Sequence, residues 1–250
     1  MDTEVASPAA SDSAASADSP TSDVTGRTIL LAGGTSTAGI TAAVAVARAG
    51  AQVIVAGRDP EKLARVVSAA PSALTVATDL TDEAAVTELV RQVHGEVGAI
   101  DGVLHLVGGW RGGGGLAGQT DDDYRFLERS LTALRFVSRA FAADLGASPA
   151  GRLAIVSSTA VAHPLAGGAN YAAVKAAGEA WTRAVGQGFE KTARDEGREL
   201  SAAAVIFRVK SLAGLEGALA DAFIALWADD ASDWNDVIVE LGEAEGNPAR

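Results

Sequence analysis

Residues 27–50 read RTILLAGGTSTAGITAAVAVARAG, and three local signals follow one another there without a gap. RTILLA is a short apolar run of the kind that forms a buried strand. GGTSTAGIT, residues 33–41, supplies glycines that let the backbone turn sharply and bring amide N–H groups close to a ligand. TAAVAVARAG continues as a helix that stops at Gly50. A strand entering a helix through a glycine-rich turn sets a helix N-terminus where a pyrophosphate can sit. Such turns are also common in α/β proteins that bind nothing there, so position adds the weight: this is the first crossover of its domain. Gly33, Gly34, Thr35, Ser36, Thr37, Gly39 and Ile40 are the candidate phosphate-binding residues of the turn.

Outward from this turn the same alternation repeats. QVIVA, ALTVA, DGVLHLV, RLAIVS, ELSAAAVIF and DVIVEL are six further strand candidates. Amphipathic stretches at 39–50, 60–70, 82–97, 121–146 and 168–197 lie between them. Strands alternating with helices imply right-handed crossovers and a parallel sheet covered on both faces. The expected fold is α/β, a single doubly wound domain with a seven-stranded, mostly parallel sheet. Its ligands should bind outside the carboxyl ends of the strands, where the strand order reverses. Residues 1–25 (MDTEVASPAASDSAASADSPTSDVT) have no apolar period and carry five acids and no base. They are expected to be a disordered acidic tail, with the folded domain occupying 26–250.

Of the 250 residues 48% are apolar and 21% charged, enough for a full core. The net charge of −12 is concentrated in residues 1–25 and 228–250, leaving the middle nearly balanced. A basic stripe for nucleic acid is lacking. So are an apolar run long enough to span a bilayer and a secretory leader, and a cytoplasmic protein is expected. There is no cysteine, which excludes disulfides and thiolate sites, and His94, His105 and His163 are not spaced as metal ligands. His105 falls within a strand run and reads as a core residue, whereas His163 is a minor candidate for the substrate pocket.

The second strand ends in Gly57-Arg58-Asp59. In a dinucleotide-binding unit an acid at this place accepts from the adenosine ribose, and an arginine accommodates a 2′-phosphate. Arg58 therefore favours NADP(H) over NAD(H), and Asp59 before Pro60 is a helix cap. Asp79 and Leu80 after the third strand are candidates for the adenine edge. Farther on, the fifth strand ends at Ser157-Ser158, and Tyr171 and Lys175 follow at i and i+4, on one helix face. An ammonium beside a phenol favours the phenolate, and a serine at the strand end could hold a carbonyl beside it. Those groups suit hydride transfer with protonation, although a tyrosine four residues before a lysine also occurs by chance.

Taken in order, the glycine turn, Gly57-Arg58, Asp79, DGVLHLVGG, Ser158 and Tyr171-x-x-x-Lys175 resemble the short-chain dehydrogenases/reductases over about residues 27–245. The resemblance implies a Rossmann fold and an oxidoreductase reducing a carbonyl or conjugated ring with NADPH. It also implies roles: Tyr171 as proton donor, Lys175 bridging the nicotinamide ribose and lowering the Tyr171 pKa, Ser158 positioning the carbonyl. Val107, Gly108 and Gly109 would lie along the cofactor.

The chain departs from the family pattern in four places. The glycine turn is one residue longer, with Thr41 in place of the last glycine. The usual asparagines after the fourth strand are replaced by His105-Leu106-Val107-Gly108. Ser130 stands about where the family has a catalytic asparagine. The Pro-Gly segment after the sixth strand is replaced by Phe207-Arg208-Val209-Lys210. These departures motivate an alternative, a catalytically weak or inactive NADP(H)-binding protein with a regulatory role. The run Val107–Gly113 around Trp110 is similar to quinonoid dihydropteridine reductases, and suggests a flat acceptor stacking on Trp110 unless that ring is a plug beneath its loop. The apolar residues of 121–146 and 168–197 exceed what one sheet face needs, and with the resemblance imply a homodimer or homotetramer.

Overall fold

The computed structural model describes residues 24–242. Seven strands form one sheet: β1 (Thr28–Ala32), β2 (Gln52–Gly57), β3 (Leu74–Ala77), β4 (Gly102–His105), β5 (Gly151–Ser158), β6 (Ala202–Val209) and β7 (Ile238–Leu241). Their order is β3-β2-β1-β4-β5-β6-β7, and all six pairings are parallel. The order reverses between β1 and β4, which opens a crevice at their carboxyl ends.

Alternation along each strand divides the core into two layers. In β1, Ile29 and Leu31 join Val53 and Val55 of β2 under Ala42 and Val46 of α1 (Thr37–Arg48), and Leu63 and Val66 of α2 (Pro60–Ala69) close that face. Leu30 and Ala32 point the other way, against Leu89 and Val93 of α3 (Glu83–Glu96), Val137 of α4 (Asp121–Ala140) and Phe189 of α6 (Ala169–Asp195). The strands are buried on both faces, which is why they read as continuous apolar runs.

Three boundaries differ from expectation. The helix expected over 121–146 ends at Ala140, where buried Phe141 terminates it before the short α5 (Ala142–Ala147). An additional helix, α7 (Glu216–Ala225), packs on α1 and buries Leu219, Ala220 and Phe223. The folded part also begins before residue 26: Val24 is fully buried with Ile29 and Val46, and its carbonyl accepts from the Arg27 amide at 3.1 Å. The remainder of the expected tail, residues 1–23, lies outside the described residues, as do residues 243–250.

Candidate functional site

The glycine turn closes in spite of its extra residue. Gly33 has φ +80°, in the left-handed region, and its amide donates to the Ala56 carbonyl at 2.9 Å. A Cβ on Gly33 would lie 2.7 Å from Val107 Cγ2, and one on Gly39 would lie 2.2 Å from the Gly34 carbonyl oxygen. Helix α1 thus packs directly onto the turn. Ser36 caps it, its hydroxyl accepting from the Gly39 amide at 3.2 Å. The amides of Thr37 and Ala38 have no acceptor within the helix and lie at the positive end of its dipole. Ile40 and Thr41 are already helical.

Beside the turn is a cleft of about 300 Å³ in the crevice between β1 and β4. Of the residues expected to hold a cofactor, Gly33, Thr35, Ser36, Arg58, Asp79, Leu80, Val107 and Gly108 line it. Gly34 and Gly39 act through the packing of the turn, and Gly109 lies against Phe126, whose ring a Cβ there would meet at 2.9 Å. The structure adds two cations that sequence order does not bring together with Arg58: Lys62 from α2 and Arg129 from α4. Asp79 organises this end. Its Oδ1 accepts from the amide and hydroxyl of Thr81 at 2.9 and 2.7 Å, and its Oδ2 lies 3.4 Å from Arg129 and 3.9 Å from Arg58. Desolvation works to raise the Asp79 pKa, but the Thr81 hydrogen bonds and both arginines outweigh it and hold the carboxyl below its ordinary value. Asp59 accepts from the amides of Glu61 and Lys62 and caps α2, as expected.

At the far end of the crevice, Lys175 Nζ donates to the Val156 carbonyl at 2.7 Å and lies 5.8 Å from the centroid of the Tyr171 ring. Both side chains come from one face of α6. Burial pushes the Lys175 ammonium down to about 8, and Glu179 one turn later opposes that fall. A Cβ on Gly108 would lie 3.7 Å from Lys175 Nζ, so the chain leaving β4 passes close to this group. Ser158 is buried at the end of the strand that holds Lys175, where its hydroxyl accepts from the Ala160 amide at 3.1 Å. No hydrogen bond joins Ser158 to Tyr171 among the described residues.

His105 is a core residue, 5% exposed. Its Nε2 lies 3.1 Å from the Ser130 carbonyl, which can only accept, so Nε2 carries the proton. Burial holds its pKa at about 4, and the imidazole is neutral. Ser130 itself donates to the Leu127 carbonyl at 2.8 Å. Among the described residues no cluster of His, Asp or Glu could hold a metal ion.

Above the crevice lie two segments, 108–119 and 163–168. Trp110 is 64% exposed and is therefore no plug, and Leu116 and Leu165 are also exposed. Gln119 ties the segments together: its Nε2 lies within 3.0 to 3.2 Å of the carbonyls of Gly113, Gly115 and Gly167, and its Oε1 accepts from the Asn170 amide at 3.2 Å. Sequence reading gave Gln119 no role, because its partners become neighbours only in the fold. His163 is exposed nearby.

Residues 27–193 match the short chain dehydrogenase family, a span that runs from β1 through nearly all of α6. The chain belongs to that family. Proteins of this family are NAD(P)-dependent oxidoreductases. A protein of Streptomyces sp. (strain C5), named as a candidate daunorubicin C-13 ketoreductase, is 37% identical over 97 residues, which are 36% of this chain and 33% of that protein. The chain thus aligns with about a third of the length of this curated relative. Among solved structures, a short chain dehydrogenase from Pseudomonas syringae superposes with a TM-score of 0.77 at 22% identity, covering 89% of this chain and 97% of that one. A short chain dehydrogenase from Shigella flexneri 2a, complexed with NADP, gives 0.75 at 20% identity, covering 88% and 98%. At these identities the superpositions speak for the fold. These relatives show the family and not the expected likeness of Val107–Gly113 to quinonoid dihydropteridine reductases. No helix among the described residues is long and apolar enough to cross a membrane.

Proposed function

We propose that this short-chain dehydrogenase/reductase uses NADPH to reduce a carbonyl, or a conjugated ring, with Tyr171 as the proton donor. The observation that carries the proposal is the meeting of Tyr171 and Lys175 at the carboxyl end of β5, with the ammonium held by the Val156 carbonyl and placed over the phenol ring. When bound, the cofactor supplies the hydride. The chain's own groups do the rest. The free amides of the α1 N-terminus receive the pyrophosphate. Arg58, with Lys62 and Arg129 in the same cleft, receives the 2′-phosphate, and Leu80 and Asp79 border the adenine side. The Tyr171 hydroxyl, with the Lys175 ammonium beside its ring, gives its proton to the substrate oxygen. Ser158, at the end of the strand that holds Lys175, orients that oxygen by donating its O–H while its own oxygen accepts from the Ala160 amide.

The exposed Trp110, Leu116 and Leu165 give the entrance an apolar rim suited to a flat, ring-bearing ketone, in keeping with the ketoreductase named among the relatives. The proposed working form is a cytoplasmic homodimer or homotetramer joined through α4 and α6. A surface cavity of about 840 Å³ between them, lined by Trp181, Val185 and Phe189, leaves apolar surface for a second copy to cover.

The test is NADPH oxidation across ketones, quinones and pterins, for the unmutated chain and for Tyr171→Phe. The variant keeps the ring and loses the hydroxyl, and its turnover should fall by about 10²–10⁴-fold while NADPH binding survives. NADPH binding without oxidation of any acceptor would favour a purely cofactor-binding role. Near-normal turnover of Tyr171→Phe would remove Tyr171 from the mechanism.

A further inference from the structure

Arg208 stands where the family has its Pro-Gly segment, and β6 continues through it, pairing in register with β5 at Ser157. Its guanidinium makes a two-pronged contact with Glu179 of α6, Nε to Oε1 at 2.8 Å and Nη2 to Oε2 at 2.6 Å. Ser157 donates to the same Oε1 at 2.6 Å. The Glu179 side chain is only 5% exposed and that of Arg208 15%. A buried ion pair is a weak source of stability, because desolvation of both ions offsets most of their attraction. The presence of this pair is therefore better explained by what lies beside it. Glu179 is four residues after Lys175, as Lys175 is four residues after Tyr171, so phenol, ammonium and carboxylate occupy successive turns of one helix face.

We infer that Glu179, fixed by Arg208 and Ser157, is a positioning residue that keeps Lys175 cationic beneath Tyr171. The inference rests on the role proposed above for Lys175. Lys175 is half-buried, which strips its ammonium of part of its hydration, and the Val156 carbonyl of β5 offers it a dipole without a charge. From β4 comes His105, neutral and unable to compensate. Helix α4 offers Ser130, also neutral, and Arg208 on β6 is spent on the carboxylate. Among the described residues only Glu179 supplies an opposite charge, and it is the one that raises the Lys175 pKa against burial. Glu179 is itself kept ionised: desolvation works against the carboxylate, and the hydrogen bonds from Arg208 and Ser157 more than offset it.

The test reads Lys175 directly. The chain has four lysines, Lys62, Lys175, Lys191 and Lys210, so the carbon-13 resonances of labelled lysine ε-carbons can be titrated individually, with Lys175→Arg giving the assignment. In Glu179→Gln, Lys175 should titrate lower than in the unmutated chain by about one pH unit, the scale of a Coulomb interaction across one helical turn. The high-pH limb of turnover should move the same way. A folded Glu179→Gln protein in which Lys175 titrates unchanged would overturn the inference. Should that variant fail to fold because Arg208 is stranded, Glu179→Gln/Arg208→Met removes both charges. It should still lower Lys175, and an unchanged or raised titration there would equally overturn the inference. Retained turnover in Tyr171→Phe would instead defeat the proposed function and leave this titration as it is.

Discussion

Arg58 extends from the end of β2 into the cleft with more than half of its side chain exposed and only a 3.9 Å approach to Asp79. A contact that loose costs little to exchange for a phosphate. Charge-assisted hydrogen bonds of this kind contribute about 1.5–3 kcal/mol, so Arg58→Ala should weaken NADPH binding by roughly tenfold or more and leave NADH nearly unchanged. Titrations with both cofactors check this, and equal losses would make Arg58 structural. His105 gives a prediction of another kind. Its pKa is about 4 in the folded chain against an ordinary 6.5, so the unfolded chain binds the proton first as pH falls. Stability linked to this residue is fully present above about 6.5, is lost as pH falls toward 4, and amounts to about 3 kcal/mol over that window. His105→Gln should therefore lose less stability than the unmutated chain between about pH 6.5 and pH 4, read from denaturant unfolding. Arg58 was legible in the sequence because its place follows from the end of a strand. The partners of His105 were not, since Ser130 meets it only once α4 has packed on β4.

Gln119 is a residue whose meaning belongs to the segments it joins. Glycine-rich 108–118 has few side chains with which to hold a shape, and the bonds from Gln119 to its Gly113 and Gly115 carbonyls and to Gly167 of the facing segment substitute for a core. Gln119→Ala should loosen that segment, raising hydrogen exchange there, and raise KM for the carbonyl substrate by about three- to tenfold, the equivalent of one or two net hydrogen bonds. NADPH affinity should hold, because the turn and the cations are built on other elements. Loss of affinity for both would place the clamp in cofactor binding. The strands were legible because each is buried on both faces and reads as an unbroken apolar run. Helix α7 was not, since GALADAFIA is apolar on nearly every side and shows no helical period. The break at Phe141 was equally silent, because the sequence there keeps its apolar spacing while the backbone turns to bury the ring.

At the scale of the molecule, the doubly wound order was legible because alternation of strands and helices admits few other arrangements. The edge of the domain was harder to read: composition changes at residue 26, yet Val24 is already packed in the core. Val24 sits in the layer formed by α1, α2 and β1, and the neighbouring Gly26 amide donates to the Gly50 carbonyl at 3.1 Å. This short segment therefore pins the end of α1, and α1 carries both the phosphate-binding amides and the contact with α7. Fully burying a valine side chain is worth about 1.5–3 kcal/mol. In a domain of this size each kcal/mol moves the thermal midpoint by roughly 2–4 °C. A chain that starts at Gly26 should therefore melt at least about 3 °C below one that starts at Val24. It should also bind NADPH more weakly, because the glycine turn rests on α1. Differential scanning calorimetry of the two truncations makes the comparison. Equal midpoints would show that Val24 covers its neighbours without anchoring them, and that the boundary suggested by composition is also the energetic one.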